Sequence, residues 1–134
     1  MRVITVSNFK GGVGKTTTAV NLATLCARHG KRTLLIDLDP QASATDYFGL
    51  YEQAEDGANV IGLLYEGMTA DEMAYDSGTD NLRVIPATLE LINQNQLLLA
   101  EQSLRLAQDD AARENYVLII YNALTAHQLV RFAF

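Results

Sequence analysis

The stretch Phe9-Lys10-Gly11-Gly12-Val13-Gly14-Lys15-Thr16-Thr17-Thr18 constrains this chain more than any other. A short apolar run, Val3-Ile4-Thr5-Val6, enters it, and a helical pattern over residues 19–28 leaves it. Closely spaced glycines (Gly11, Gly12 and Gly14) let a backbone turn tightly and bring N–H groups close to an anion. The helix that follows adds unpaired N–H groups and the positive end of its dipole. Lys15 supplies a mobile cation and Thr16 a hydroxyl suited to Mg²⁺, which is the chemistry of a phosphate cradle. A lysine at a helix start opposes the dipole, so an anionic partner explains Lys15 better than an exposed surface lysine does. Consecutive β-branched threonines open a helix poorly unless their hydroxyls are used. Thr16 is assigned to Mg²⁺ and Thr17 to a phosphate oxygen.

The usual phosphate-loop pattern, G-x-x-x-x-G-K-[ST], asks for glycine where this chain has Phe9. It is indifferent at the position of Lys10. Around the loop, residues 2–7 read as a buried parallel strand. Residues 16–29 read as a helix with Val20, Leu22, Ala23, Leu25 and Cys26 inward, and Gly30 as its stop. Residues 33–36 are a second buried strand ending at Asp37-Leu38-Asp39-Pro40. Ligands in an open α/β sheet bind at the carboxyl ends of the strands. Asp37 and Asp39 at that edge suit a metal-linked water or the orientation of a nucleophile. Alone, the pair also reads as solvated turn residues; beside the glycine loop the functional reading is preferred.

Beyond Pro40 the pattern predicts a short helix within residues 41–50, with Ser43 as a cap, then a polar loop over 51–57. A short helix follows over 59–65, ended by Gly67, and then a turn with Thr69 and Glu72 at capping-box spacing. Residues 76–81 read as a polar loop, 82–85 as a third strand stopped by Pro86, and 89–114 as a long helix packed on the sheet. Residues 116–120 form a fourth buried strand; 128–134 read either as a short fifth strand or as a frayed end. The fold class is α/β, a phosphate-loop parallel sheet with flanking helices, incomplete at about four to five strands.

With 134 residues, 49% of them hydrophobic, the chain suits a single domain over 1–134 with one core. A net charge of −6 argues against binding nucleic acid through overall charge. The lone Cys26 cannot form an internal disulfide and reads as a buried structural thiol. His29 and His127 have no partners at metal spacing and read as surface residues. Tyr47, Phe48, Tyr65, Tyr75 and Tyr116 read as packing residues rather than base-stacking ones. No apolar run approaches the ~20 residues that span a membrane, and no leader pattern opens the chain. A cytoplasmic location with no membrane partner is expected.

Residues 8–23, from Asn8-Phe9-Lys10 to Asn21-Leu22-Ala23, resemble the deviant Walker A region of the ParA/Soj group of partition ATPases. Residues 34–45, Leu34-Leu35-Ile36-Asp37-Leu38-Asp39-Pro40-Gln41-Ala42-Ser43-Ala44-Thr45, resemble the group's second block, and 81–87 and 115–120 are also similar. The MinD and nitrogenase iron proteins share the loop, but Asp39-Pro40-Gln41 favours ParA. The resemblance implies ATP and Mg²⁺ as cofactors, with Lys10, Gly11, Gly12, Val13, Gly14, Lys15, Thr16 and Thr17 around the nucleotide. It implies that Lys15 contacts the β- and γ-phosphates and that Lys10 reaches across a homodimer to the partner's nucleotide. Thr16 and Asp37 would serve the metal, and Asp39 the hydrolytic water. It implies non-specific DNA binding and a ParB-like activator for the family.

The chain departs from the family after the fourth strand. The family carries a Walker B aspartate and a proline pair there, whereas Ile120 is followed here by Tyr121-Asn122-Ala123-Leu124-Thr125-Ala126-His127. No acidic residue follows Glu114. Residues 122–126 resemble a family stretch about ten residues further on, so the sequence reads as C-terminally truncated, with either an internal deletion or a frameshifted tail. Turnover is then impaired, the DNA-binding surface is missing, and the first strand is left as an apolar edge that invites pairing. The leading expectation is a ParA-like ATP-binding protein. The alternatives are a non-enzymatic partner or inhibitor of full-length ParA and a decaying gene product; a small-molecule kinase ranks last.

Overall fold

Every residue of Thr33–Asp37 is buried, and this strand (β2) is the centre of the molecule. Its run of apolar and β-branched residues has two covered faces, as a strand inside a parallel sheet requires. The computed structural model describes residues 2–8, 10–92 and 117–122. Within them the chain runs β1 (Arg2–Ser7), α1 (Lys15–Arg28), β2, α2 (Ser43–Tyr47), α3 (Tyr51–Asp56), α4 (Val60–Tyr65), α5 (Ala70–Met73), β3 (Tyr75–Asp76), β4 (Leu82–Ile85), a 3-10 turn (Leu89–Ile92) and β5 (Val117–Asn122). The sheet order is β1-β5-β2-β4-β3, with β3 antiparallel to β4 and the other pairs parallel. This is the expected α/β sheet, with one antiparallel edge strand added.

Alternation along β2 sends side chains to two cores. Leu35 joins Ala19, Val20, Ala23 and Ala27 of α1 on one face, with Leu82, Val84 and Ile119. Leu34 and Ile36 join Val60, Leu63 and Leu64 of α4 on the other, with Met73 and Ile85. Small residues on α1 let that helix lie close to the strands. Gly30, with φ of +72°, ends it in the left-handed conformation that glycine adopts without strain.

The order of elements from β1 through the loop and α1 to β2 matches the sequence reading, as do α4, α5 and β4, but Leu25, expected on the inward stripe of α1, is 53% exposed, while Ala19 and Ala27 are buried there. Thr69 accepts from the Glu72 N–H while Glu72 reaches back to the Thr69 N–H, completing the capping box. Several expectations need correction. Within the expected loop over 51–57, Tyr51–Asp56 form helix α3, because a mostly polar helix needs only a narrow buried face, supplied by Ala54 beside Leu50. The 76–81 loop begins inside a hairpin, since Tyr75 and Asp76 pair with Val84 and Arg83. Ser43 is the first helical residue of α2, not its cap; Ala42, at φ +52°, holds the cap position. The fourth strand runs on through Tyr121 and Asn122, paired with Val6 and Ser7.

Strand β1 is not buried on both faces. It pairs only with β5 among the described residues, and Val3 is 42% exposed. Cys26 is half-buried rather than buried, and Tyr47 is exposed, edge-on to Phe48. Of the long helix expected over 89–114, Leu89–Ile92 is a 3-10 turn and the remainder lies outside the described residues, as do Tyr116, His127 and the 128–134 segment. No helix among the described residues is long and apolar enough to cross a membrane.

Candidate functional site

Strand β1 delivers the chain into the glycine loop, and the loop turns it into α1. Asn8 Oδ1 accepts from the Lys10 N–H at 3.0 Å, which tightens the entry. Gly12 and Gly14 sit at φ +70° and +82°, where a side chain would strain the backbone. Gly14 is the N-cap of α1, and the helix ladder starts with the Thr18 N–H donating to the Gly14 carbonyl at 2.9 Å. The N–H groups of Lys15, Thr16 and Thr17 therefore precede the ladder. The first turn carries no acidic residue, so nothing there neutralises the positive helix end. Lys15 Nζ folds back to the Lys10 carbonyl oxygen at 3.1 Å, placing its ammonium across the loop. Residues 10–14 and Thr17 are exposed, and Lys15 and Thr16 are half-buried. A Cβ built on Gly11, Gly12 or Gly14 would meet no atom within 4 Å, so the space beside these glycines is open.

The two aspartates stand at the same sheet edge. Val6 and Asp37 both pair with Tyr121, on opposite sides of β5. Two strand spacings put their backbones roughly 10 Å apart. Asp37 is fully buried and Asp39 is 5% exposed. Asp37 Oδ1 accepts from the Asp39 N–H at 3.0 Å; Oδ2 accepts from the Thr45 N–H at 2.9 Å and the Thr45 hydroxyl at 2.8 Å. Burial raises the Asp37 pKa from 3.8 to about 6; the three hydrogen bonds oppose that shift, and the nearby Asp39 charge adds to it. Asp39 Oδ1 in turn accepts from the Gln41 N–H at 2.9 Å, across Pro40.

The donor set fits a triphosphate with a hard cation. Mg²⁺ is commonly held by one or two protein oxygens plus substrate phosphates, and the Thr16 hydroxyl at the helix start can supply one. Among the described residues there is no cluster of three or more His, Cys, Asp or Glu, and that mode of binding asks for none. His29 lies on the surface at the end of α1, its Nδ1 2.8 Å from the Leu25 carbonyl. The sequence reading gave no role to Thr45 or Asn8. Thr45 lies eight residues from Asp37, and nothing in the spacing marks their contact.

Comparison with known proteins agrees with the geometry. A family model described as an AAA domain matches residues 1–129. The sporulation initiation inhibitor protein Soj of Bacillus subtilis is 37% identical over 143 aligned positions, which cover 96% of this chain and 56% of that protein. A plasmid partition protein of Borrelia burgdorferi superposes with a TM-score of 0.71 at 32% identity, over 89% of this chain and 54% of the other. The cobyrinic acid a,c-diamide synthase of Mycobacterium smegmatis, solved with a bound ATP analogue and magnesium, gives 0.82 at 28% identity, over 98% and 55%. The chain spans about half the length of the curated relatives it matches. On the family-model match over residues 1–129 and these similarities, the chain belongs to the ParA/Soj family of partition ATPases.

Proposed function

We propose that this chain binds ATP with Mg²⁺ in the loop between β1 and α1, as the nucleotide-binding part of a partition ATPase. The observation that carries the reading is the Lys15 ammonium, turned across the glycine loop at the positive end of a 14-residue helix. In this reading the N–H groups of Gly11, Gly12, Val13 and Gly14 surround the phosphates. Lys15 would contact the β- and γ-phosphates, Thr16 would supply its hydroxyl to Mg²⁺ and Thr17 would hold a phosphate oxygen. Asp39 orients water, with Asp37 behind it in support of the metal shell. The exposed Lys10 acts on the nucleotide of a second copy, so a homodimer belongs to the proposal, as do ADP as product and a ParB-like partner, while DNA binding, whose surface the sequence reads as missing, does not. Turnover is expected to be low, because Tyr121 and Asn122 end β5 where the family has its aspartate. Loss of a charge-positioning group in phosphoryl transfer costs orders of magnitude in rate.

Calorimetric titration of Mg-ATP into the chain and into Lys15→Ala tests this. The expected result is saturable binding by the chain, weakened at least about tenfold by the substitution, which corresponds to about 1.4 kcal/mol. Equal affinity in both proteins, or no binding by either, would overturn the proposal. A second reading, a non-hydrolysing chain that pairs with a full-length ParA, is favoured by the exposed Lys10 and by β1 standing at the sheet edge among the described residues. Titration into a full-length homologue should then form a heterodimer and change its ATPase rate.

A further inference from the structure

Asp37 and Thr45 belong to a buried hydrogen-bond relay that reaches three separate segments. The Ala87 N–H donates to Thr45 Oγ1 at 2.8 Å, and the Thr45 hydroxyl donates to Asp37 Oδ2 at 2.8 Å. Asp37 Oδ1 then accepts from the Asp39 N–H at 3.0 Å. Asp37, Thr45 and Ala87 are each no more than 1% exposed. The far end of the relay is itself anchored, because the Val60 N–H at the start of α4 donates to the Pro86 carbonyl at 2.9 Å. Both oxygens of Asp37 are thus engaged by protein donors. The segment between Asp37 and Thr45 is fixed at each end by the same carboxylate, with Asp39 inside it.

We infer that Thr45 and Asp37 are positioning residues: the relay from Ala87 through Thr45 to Asp37 holds Asp39 at the carboxyl edge of the sheet, facing the Mg²⁺-nucleotide. The consequence for the ligand rests on the ATP-binding reading above; the relay itself does not. A threonine is suited to the middle position, since one hydroxyl can accept from Ala87 while donating to Asp37. Valine matches its shape and removes both bonds, whereas serine retains them. A satisfied network of this kind is rigid, and a half-satisfied one is not.

The experiment compares the wild-type chain with Thr45→Val and Thr45→Ser, and adds Asp37→Asn, whose amide oxygen keeps an acceptor for Thr45 while its N–H₂ faces the Asp39 N–H and removes that bond. Amide hydrogen exchange without nucleotide reports the relay. ATP affinity, measured with and without Mg²⁺, reports the site. In Thr45→Val, exchange at Asp39 and Ala87 should accelerate about tenfold, with protection along α1 unchanged. The gain in ATP affinity that Mg²⁺ confers should fall about tenfold, while affinity for ATP alone should not move. Thr45→Ser should restore both. Should Thr45→Val fail to fold, Asp37→Asn should show the faster Asp39 exchange with Ala87 still protected. An unchanged Mg²⁺-dependent gain in Thr45→Val and Asp37→Asn would overturn the positioning role while ATP binding stands. Wild-type exchange at Asp39 and Ala87 in every folded variant would overturn the relay. A wild-type chain that binds no ATP would overturn the function proposed above and the positioning role with it.

Discussion

Lys15 reaches Lys10 through the Lys10 carbonyl oxygen, 3.1 Å from Nζ, and among the described residues Lys10 enters the loop's hydrogen bonding through its backbone. The two lysines are therefore expected to separate functionally. Lys15→Ala removes the cation over the loop, whereas Lys10→Ala leaves the backbone bonds to Asn8 and Lys15 in place. Mg-ATP affinity of the monomer should change less than about threefold in Lys10→Ala, under 0.7 kcal/mol, while nucleotide-dependent dimerisation is lost. Titration calorimetry and analytical ultracentrifugation on the two variants check the split. Equal loss of ATP affinity in both would show that Lys10 acts within its own chain.

Strand β1 ends the sheet among the described residues, with Val3 exposed. An apolar edge strand is a template for another chain. The wild type should self-associate in sedimentation velocity runs at micromolar concentration. Val3→Lys should weaken that association about tenfold, near 1.4 kcal/mol, with little change in thermal stability. A wild-type chain that stays monodisperse and monomeric, with slow exchange along β1, would remove the edge as an association site.

The interior should respond far more strongly than the edge. Leu35 is fully buried in the central strand, between α1 and β4. Leu35→Ala should destabilise by about 2–5 kcal/mol, and Val3→Ala by less than about 0.5 kcal/mol. Gly57→Ala should also be costly, because its Cβ would lie 2.8 Å from the Gln53 carbonyl and 2.9 Å from the Tyr75 hydroxyl. A cost of about 1–3 kcal/mol is expected from the forced shift, read by urea unfolding.

Asp37 makes stability depend on pH in an unusual direction for a carboxylate. Its folded pKa is raised to about 6 from 3.8, so the folded state binds the proton more tightly than the unfolded one. Its contribution is fully present below about pH 3.8 and is lost as pH rises through about 6. In unfolding curves without nucleotide or Mg²⁺, the wild type should lose stability relative to Asp37→Asn between those limits. A difference that runs the other way would mean that the three donors outweigh burial.

The loop and its flanking elements were legible in the residues because the forces that form them are local. The glycine spacing at Gly12 and Gly14, the inward Val20 and Ala23 of α1, and the run of β2 act within a few positions of one another; Leu25, read as inward, is 53% exposed, and Ala19 and Ala27 take the buried places. The Thr69–Glu72 box is local too. Helix α3 was misread because its polar residues hide a narrow buried face, and β3 because a two-residue strand carries almost no pattern.

By itself, then, the sequence marked the glycine loop as the proposed phosphate cradle, named the residues expected around it, and pointed to the family the chain resembles. Only the tertiary structure decided that β1 pairs with β5 alone among the described residues, and that Asp37 turns inward onto Asp39 and Thr45. The physical reason is range. The bond from Ala87 to Thr45 joins residues 42 positions apart, and no local propensity encodes such a pairing. Strand order and burial settle it, by bringing the ends of β2 and β4 together and leaving the hydroxyl of Thr45 between them.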